Sequence, residues 1–180
     1  MQFSGVVLAG GRSSRFGEDK ARFCYQGRPL LTYVLASLQE AAERLIIAKA
    51  PYPEFEVPTV LDLYSVAAPL SGLCTALRVA QHDWVALAAC DLPFLSADYW
   101  RALLTYAEGC DAVMVMRQGR LEPLAALYHR RVLALAEPQL DADPALYRLA
   151  QRIPSTVIPF DRLKLPERTL RNVNLKSDLM

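Results

Sequence analysis

The run Trp84-Val85-Ala86-Leu87-Ala88-Ala89 most constrains the fold, because six consecutive apolar residues leave no polar face to turn toward water. A strand of this kind is buried on both sides, which places it inside a sheet covered by further layers. It ends in Cys90-Asp91, and even counted to Cys90 it is far short of a membrane span. Shorter apolar stretches at Val6–Ala9, Leu45–Ala48, Thr59–Leu61 and Ala112–Met116 read as companion strands. The segments between them change period. Leu30, Val34, Leu38 and Ala41/Ala42 recur at helical spacing behind Pro29, and Leu73, Leu77 and Ala80 line one face of Ser71–Gln81. Ser96 is placed to cap a helix reaching about Glu108, with Asp98 in its first turn. Arg117-Gln118-Gly119-Arg120 has the composition of a turn, after which Pro123–Tyr128 returns as a strand. Asp143-Pro144 predicts the N-cap and first residue of a last helix through about Arg152. Strands alternating with helices build βαβ units, so the expectation is one α/β domain with a mainly parallel sheet and helices on both faces. In such sheets ligands bind at the carboxyl ends of the strands.

Composition removes several functions. Twenty Lys and Arg against nineteen Asp and Glu give a net charge of +1, without the basic excess of a general nucleic-acid binder. Cys24, Cys74, Cys90 and Cys110 lie far apart with no C-x-x-C pair, which disfavours a zinc cluster or a disulfide framework and predicts reduced, mostly core thiols. The N-terminus shows neither a basic n-region nor a cleavage site, so no secretory signal is expected.

The first strand opens directly into Leu8-Ala9-Gly10-Gly11-Arg12-Ser13-Ser14-Arg15-Phe16-Gly17-Glu18-Asp19-Lys20-Ala21. Three glycines in eight residues let the main chain approach a ligand, and successive N–H groups form an anion-binding nest. Ser13 and Ser14 add hydroxyl donors, while Arg15 and Lys20 supply cations. Polyphosphate fits this loop best. It is neither a P-loop, since Gly17 is followed by Glu18, nor G-x-G-x-x-G, which disfavours a nicotinamide-dependent oxidoreductase.

Leu-Ala-Gly-Gly-x-Ser-x-Arg-Phe-Gly-x-Asp-Lys-Ala resembles the signature loop of the molybdenum cofactor guanylyltransferases, within a wider nucleotidyltransferase family. The likeness continues at Gly27-Arg28-Pro29-Leu30, Asp62, Pro69-Leu70-Ser71-Gly72-Leu73, Cys90-Asp91-Leu92-Pro93-Phe94, Glu122 to Tyr128 and Asn172-Val173-Asn174. It implies a single nucleotidyltransferase domain over residues 1–180, a three-layer α/β/α, Rossmann-like fold. The implied activity transfers GMP from GTP to the terminal phosphate of molybdopterin with Mg2+, releasing pyrophosphate. On this resemblance Leu8, Ala9, Gly10, Gly11, Ser13, Lys20, Asp62 and Asp91 bind the nucleotide, and Arg15, Lys20 and Asp91 serve catalysis. Asp91 is the metal carboxylate, assisted by Asn172 or Asn174, whose side chains would share one side of an extended segment.

Without the resemblance, Asp91 reads equally well as a turn or capping residue, the asparagines as turn residues, and Asp62 as a solvated loop acid. His82 would end a helix, and His129 would stand either near the acceptor or on the surface. The implied partners are GTP and the molybdopterin cofactor, with contact to other cofactor-biosynthesis proteins, in a cytoplasmic monomer or weak oligomer that binds neither nucleic acid nor membrane. Gly10, in place of the Ala that cytidine- and uridine-using relatives often carry, leaves room beside the base and favours guanine.

Three departures stand out. Ala68 replaces a glycine, Ala48-Lys49-Ala50 lacks an asparagine that contacts guanine in many relatives, and Asn172-Val173-Asn174 is followed by Leu175-Lys176, not Thr-Pro. Transfer of CMP or of another nucleotide, or nucleotide binding without catalysis, are the alternatives.

Overall fold

The computed structural model describes residues 1–9, 19–174 and 178. Its elements, in chain order, are β1 (Ser4–Leu8), β2 (Cys24–Tyr25), β3 (Arg28–Pro29), α1 (Leu30–Ser37), β4 (Glu43–Ala48), β5 (Thr59–Leu61), α2 (Pro69–Val79) and β6 (Trp84–Ala89). They continue as α3 (Ala97–Leu104), β7 (Ala112–Arg117), β8 (Arg120–Leu121), β9 (Ala125–His129), α4 (Leu133–Ala142), α5 (Leu146–Ala150) and β10 (Ser155–Pro159). Among the described residues the main sheet runs β10-β7-β9-β6-β1-β4-β5, with β8 paired to β7 and a separate β2–β3 hairpin.

Alternating side chains divide the core into two layers, as strand geometry requires. Val7 of β1, Ile46 of β4, and Ala86 and Ala88 of β6 face α1 and α3, where Leu31, Val34, Tyr99 and Trp100 cover them. Val6, Leu45, Ile47, Val85 and Leu87 face α2, α4 and α5, against Leu73, Leu77, Leu140 and Leu149. The all-apolar β6 is buried along its whole length because both faces are covered. This is the expected three-layer α/β/α sandwich. Trp100 Nε1 donates to Ser37 Oγ at 3.0 Å, tying α3 to α1 inside the first layer.

β1 pairs in parallel with β4 and β6, β4 with β5, and β7 with β10. β9 is the exception, lying antiparallel between β6 and β7. The short route from β7 explains its direction. Gln118 and Gly119 both have positive φ, 50° and 76°, in the two-residue turn between β7 and β8, the backbone such a hairpin needs to match strand twist. The chain then returns instead of crossing over.

Several boundaries differ from the sequence expectation. α1 stops at Ser37, before Ala41 and Ala42, because the chain there turns back toward β1. A Cβ on Gly5 would lie 3.0 Å from Leu38 Cβ and 3.1 Å from Ala41 Cβ, so the small residue permits this approach. α3 ends at Leu104, four residues short of Glu108, while Ser96 does cap its start. Asp143-Pro144 does not open the last helix. Asp143 closes α4, a helix the sequence hid by carrying Pro138 in its interior. The Gln139 amide donates to the carbonyls of Asp143 and Ala145 and fastens that end. α5 follows as a short helix, and β10 adds an edge strand that was not anticipated.

Candidate active site

The parallel strands β5, β4, β1 and β6 end together at Leu61, Ala48, Leu8 and Ala89, with Asp62, Lys49, Ala9 and Cys90-Asp91 just past them, and three ladder bonds continue one residue further. Ala9 N–H donates to Ile47 O at 2.9 Å, Cys90 N–H to Leu8 O at 3.0 Å, and Asp62 N–H to Ala48 O at 2.9 Å. The helix after β1 packs on one face and the helix after β5 on the other, which opens a crevice at the carboxyl edge. A cleft of about 570 Å³ lies there, lined by Leu8, Ala9, Lys20, Lys49, Asp62, Ala67, Ala68, Gly72 and Asp91 among others. That volume suits a small-molecule ligand. Gly72 of α2 is part of the design, since a Cβ on it would fall 2.8 Å from Leu8 Cδ2. Ala68 takes φ −144°, an extended conformation open to any residue, so the missing glycine costs the backbone nothing.

Asp91 stands one residue beyond Cys90 at the mouth of β6. Its Oδ2 lies 3.6 Å from Lys20 Nζ. Its Oδ1 is buried and, among the described residues, has no hydrogen-bond partner. Burial raises the carboxyl pKa above its usual value, and the Lys20 charge offsets only part of that rise. A buried carboxylate oxygen with no hydrogen-bond partner among the described residues is unusual enough to ask what ligand completes it. A divalent cation fits: the donor is a hard carboxylate oxygen opening on a cleft, the chemistry such ions select.

The C-terminal segment reaches the same place. Val173 N–H donates to Asp91 O at 2.8 Å, and Val173 is fully buried beside Leu30. Asn174 Oδ1 accepts from Lys20 Nζ at 3.3 Å. Asn172 is exposed, and its side chain makes no hydrogen bond among the described residues. Of the two asparagines, the fold brings Asn174 to the Lys20–Asp91 pair.

Asp62 is not a solvated loop acid. Its side chain is 6% exposed. Both oxygens are occupied: Oδ1 accepts from Thr75 Oγ1 at 2.8 Å and Tyr64 N–H at 3.1 Å, and Oδ2 from Ser71 Oγ at 2.6 Å with Lys49 Nζ at 3.1 Å. Burial pushes this carboxyl up, but the hydrogen bonds from Ser71, Thr75, Tyr64 N–H and Lys49 outweigh it and hold the pKa below its ordinary value.

Gly10, Gly11, Ser13 and Arg15 lie outside the described residues. The end of their loop is anchored visibly. Asp19 Oδ1 accepts from Ala21 N–H at 3.0 Å, and the Tyr52 hydroxyl donates to Asp19 Oδ2 at 2.9 Å. Arg22 bonds the same carboxylate at 3.0 Å and stacks on the Tyr52 ring at 4.5 Å. Burial, then the Asp19 bond, raises the Tyr52 pKa, so its proton stays on the phenol.

Sequence reasoning missed Asp19, Tyr52, Thr75 and Lys49 as members of this neighbourhood. Asp19 could have been inferred from its place beside Lys20, but nothing local marks a tyrosine thirty-odd residues away. The histidines stand elsewhere. His129 pairs with Trp84 at the amino end of β6, opposite the cleft, because β9 is antiparallel. His82 lies past the end of α2 with Nδ1 3.1 Å from Ser4 Oγ. Burial and the neighbouring Asp91 push the Cys90 thiol up to about 12, leaving it protonated. Cys74 and Cys110 are buried, as expected of core thiols, but Cys24 is exposed.

A three-layer sandwich that gathers an aspartate, a lysine and a cleft at the carboxyl ends of its parallel strands has the architecture of an α/β enzyme with its ligand site at the strand ends. Residues 5–157 match the MobA-like NTP transferase domain, and the chain belongs to that family; it is a nucleotidyltransferase. It is 37% identical to a probable molybdenum cofactor guanylyltransferase of Deinococcus radiodurans, over 99% of this chain and 93% of that one. It is 34% identical to the protein of the same name from Carboxydothermus hydrogenoformans, over 75% and 70% of the two chains. In fold it resembles the crystal structure of molybdopterin-guanine dinucleotide biosynthesis protein A from Archaeoglobus fulgidus, with TM-score 0.82 and 23% identity over 98% and 94% of the chains. Among the described residues no helix is long and apolar enough to cross a membrane.

Proposed function

We propose that this protein transfers GMP from GTP to the terminal phosphate of molybdopterin, releasing pyrophosphate. The observation that carries the reading is the buried Oδ1 of Asp91 at the mouth of β6, which has no hydrogen-bond partner among the described residues, with Lys20 on the other oxygen. The names borne by the Deinococcus and Carboxydothermus relatives, probable molybdenum cofactor guanylyltransferases, support guanine as the base and the molybdenum cofactor as the acceptor.

In this reading the triphosphate lies along Leu8, Ala9, Gly10, Gly11 and Ser13, with its nucleoside end toward Asp62. Asp91 would hold Mg2+ with help from Asn174, and the ion would neutralise phosphate charge. An acceptor phosphate oxygen attacks the α-phosphorus in line. A new P–O bond forms, the α–β anhydride bond breaks, and its electron pair leaves on pyrophosphate. Lys20 and Arg15 stabilise the charge that gathers on the departing β- and γ-phosphates. The nucleophile is already ionised, so no general base is needed, consistent with His82 and His129 standing away from the cleft.

Thermal stabilisation by GTP, CTP, ATP and UTP, each with and without Mg2+, tests the reading. A ligand at about a hundred times its Kd stabilises by roughly 2.7 kcal/mol. A magnesium-dependent shift selective for GTP, followed by pyrophosphate release with molybdopterin, is the expected outcome. Selectivity for CTP would reassign the base, and no response from folded protein would end the proposal.

A further inference from the structure

The cleft wall opposite the Lys20–Asp91 pair is the loop between β5 and α2, and one side chain from a different strand holds it. Lys49, the first residue past β4, places Nζ 2.6 Å from Tyr64 O, 3.4 Å from Val66 O and 3.1 Å from Asp62 Oδ2. All three of these acceptors lie on residues 62–66, immediately before Ala67, Ala68 and Pro69, which face the cleft.

The division of labour follows from exposure and from lone pairs. The Asp62 side chain is 6% exposed and that of Lys49 45%. A carboxylate offers about four acceptor sites, and Asp62 commits them to Thr75, the Tyr64 N–H, Ser71 and Lys49. It can touch a nucleotide only by giving one up. An ammonium has three protons, and those of Lys49 point at three acceptors of a single loop.

Resting on the nucleotidyltransferase reading above, we infer that Lys49 is a positioning residue: it staples the β5–α2 loop into a preformed wall for the nucleoside half of the nucleotide, with Asp62 acting through it from behind. Without the staple, Tyr64 O and Val66 O lose their partner and Asp62 loses its cation. The loop must then be ordered when the nucleotide binds, and that ordering is subtracted from affinity.

Isothermal titration with GTP and Mg2+ on wild type, K49Q and K49R, alongside melts and steady-state kinetics, tests this. For K49Q the expected result is a Kd and nucleotide KM raised about tenfold with kcat within about twofold, the pattern of lost binding without lost chemistry. K49R, which can still donate to the carboxylate and the carbonyls, recovers most of that loss. Amide exchange in residues 63–68 accelerates in K49Q and returns toward wild type in K49R. Should K49Q not fold, T75V removes one Asp62 donor from behind the wall and shifts Kd in the same direction.

An unchanged Kd in K49Q overturns the inference even if its melting temperature falls. Equal loss of affinity in K49Q and K49R also overturns it, in favour of direct contact by the ammonium. If wild type itself binds no nucleotide, the functional reading fails first and takes the inference with it; binding in wild type separates the two failures.

Discussion

Two aspartates at the carboxyl edge of one sheet, Asp62 after β5 and Asp91 after β6, have opposite surroundings. Asp62 is bound by a hydroxyl and a further donor on each oxygen. Asp91 has a lysine 3.6 Å from one oxygen and, among the described residues, no partner on the other, which is buried. The difference shows in their proton affinities, lowered for Asp62 and raised for Asp91. A carboxylate surrounded by donors stabilises the fold. One with a buried oxygen and no donor on it costs stability when charged, and under the proposed function that cost is offset when a ligand completes it.

The sharpest test of the contrast is Asp91→Asn. Transfer should fall about a thousandfold or more, roughly 4 kcal/mol of transition-state stabilisation, while apo stability holds or rises because a buried charge is gone. An apo protein clearly destabilised by this change would refute the open-oxygen argument. Asp62→Ala should behave in reverse, costing about 2–4 kcal/mol in urea unfolding because it leaves several donors and the Lys49 charge unmatched. A loss under about 0.5 kcal/mol, typical of surface sites, would remove Asp62 from the framework.

Stability against pH separates the two again. The folded pKa of Asp62 lies below 3.8, so its contribution is present above that value and disappears as pH falls through the folded pKa. That of Asp91 lies above 3.8, so its cost is absent at low pH and grows as pH rises from 3.8 through the raised value. Urea melts of metal-free wild type and Asp91→Asn, from about pH 4 to about pH 8, should therefore diverge with rising pH in favour of the variant. Parallel curves would contradict the assigned burial.

Smaller effects locate the cleft. Gly72→Ala would press on Leu8 Cδ2 at 2.8 Å. Nucleotide KM should rise a few-fold, on the order of 1 kcal/mol, with stability nearly level because alanine favours the helix. His129→Gln, at the other end of β6, should leave transfer within about twofold of wild type.

Much of the fold was legible because β6 is apolar on every residue and the neighbouring helices carry a clear period. Thr59–Leu61 and Trp84–Ala89 emerge with the expected bounds. α4 was hidden by Pro138, which local rules treat as a stop, whereas packing of Ala136 and Leu140 sustains the helix. β10 was missed because Ser155–Pro159 carries two polar-to-small residues and a proline on an edge, where a missing N–H is tolerated. The direction of β9 came from a turn whose two positive φ angles a glycine only hints at. At the site, Asp91 and Lys20 could be named from their places in a motif, but the partners of Asp62 and the Tyr52–Asp19 contact could not.

Local sequence by itself determined the layered α/β class, the strand that carries Asp91, and the glycine loop that ends at Lys20, because burial periodicity and backbone permissiveness are properties of short segments. Tertiary structure decided that Asn174 meets Lys20, that His129 stands at the far end of the sheet, and that Lys49 holds the loop of Asp62. Those outcomes depend on strand order and direction, which bring together residues on different elements, as far apart as Lys20 and Asn174, and are set by packing the whole chain at once.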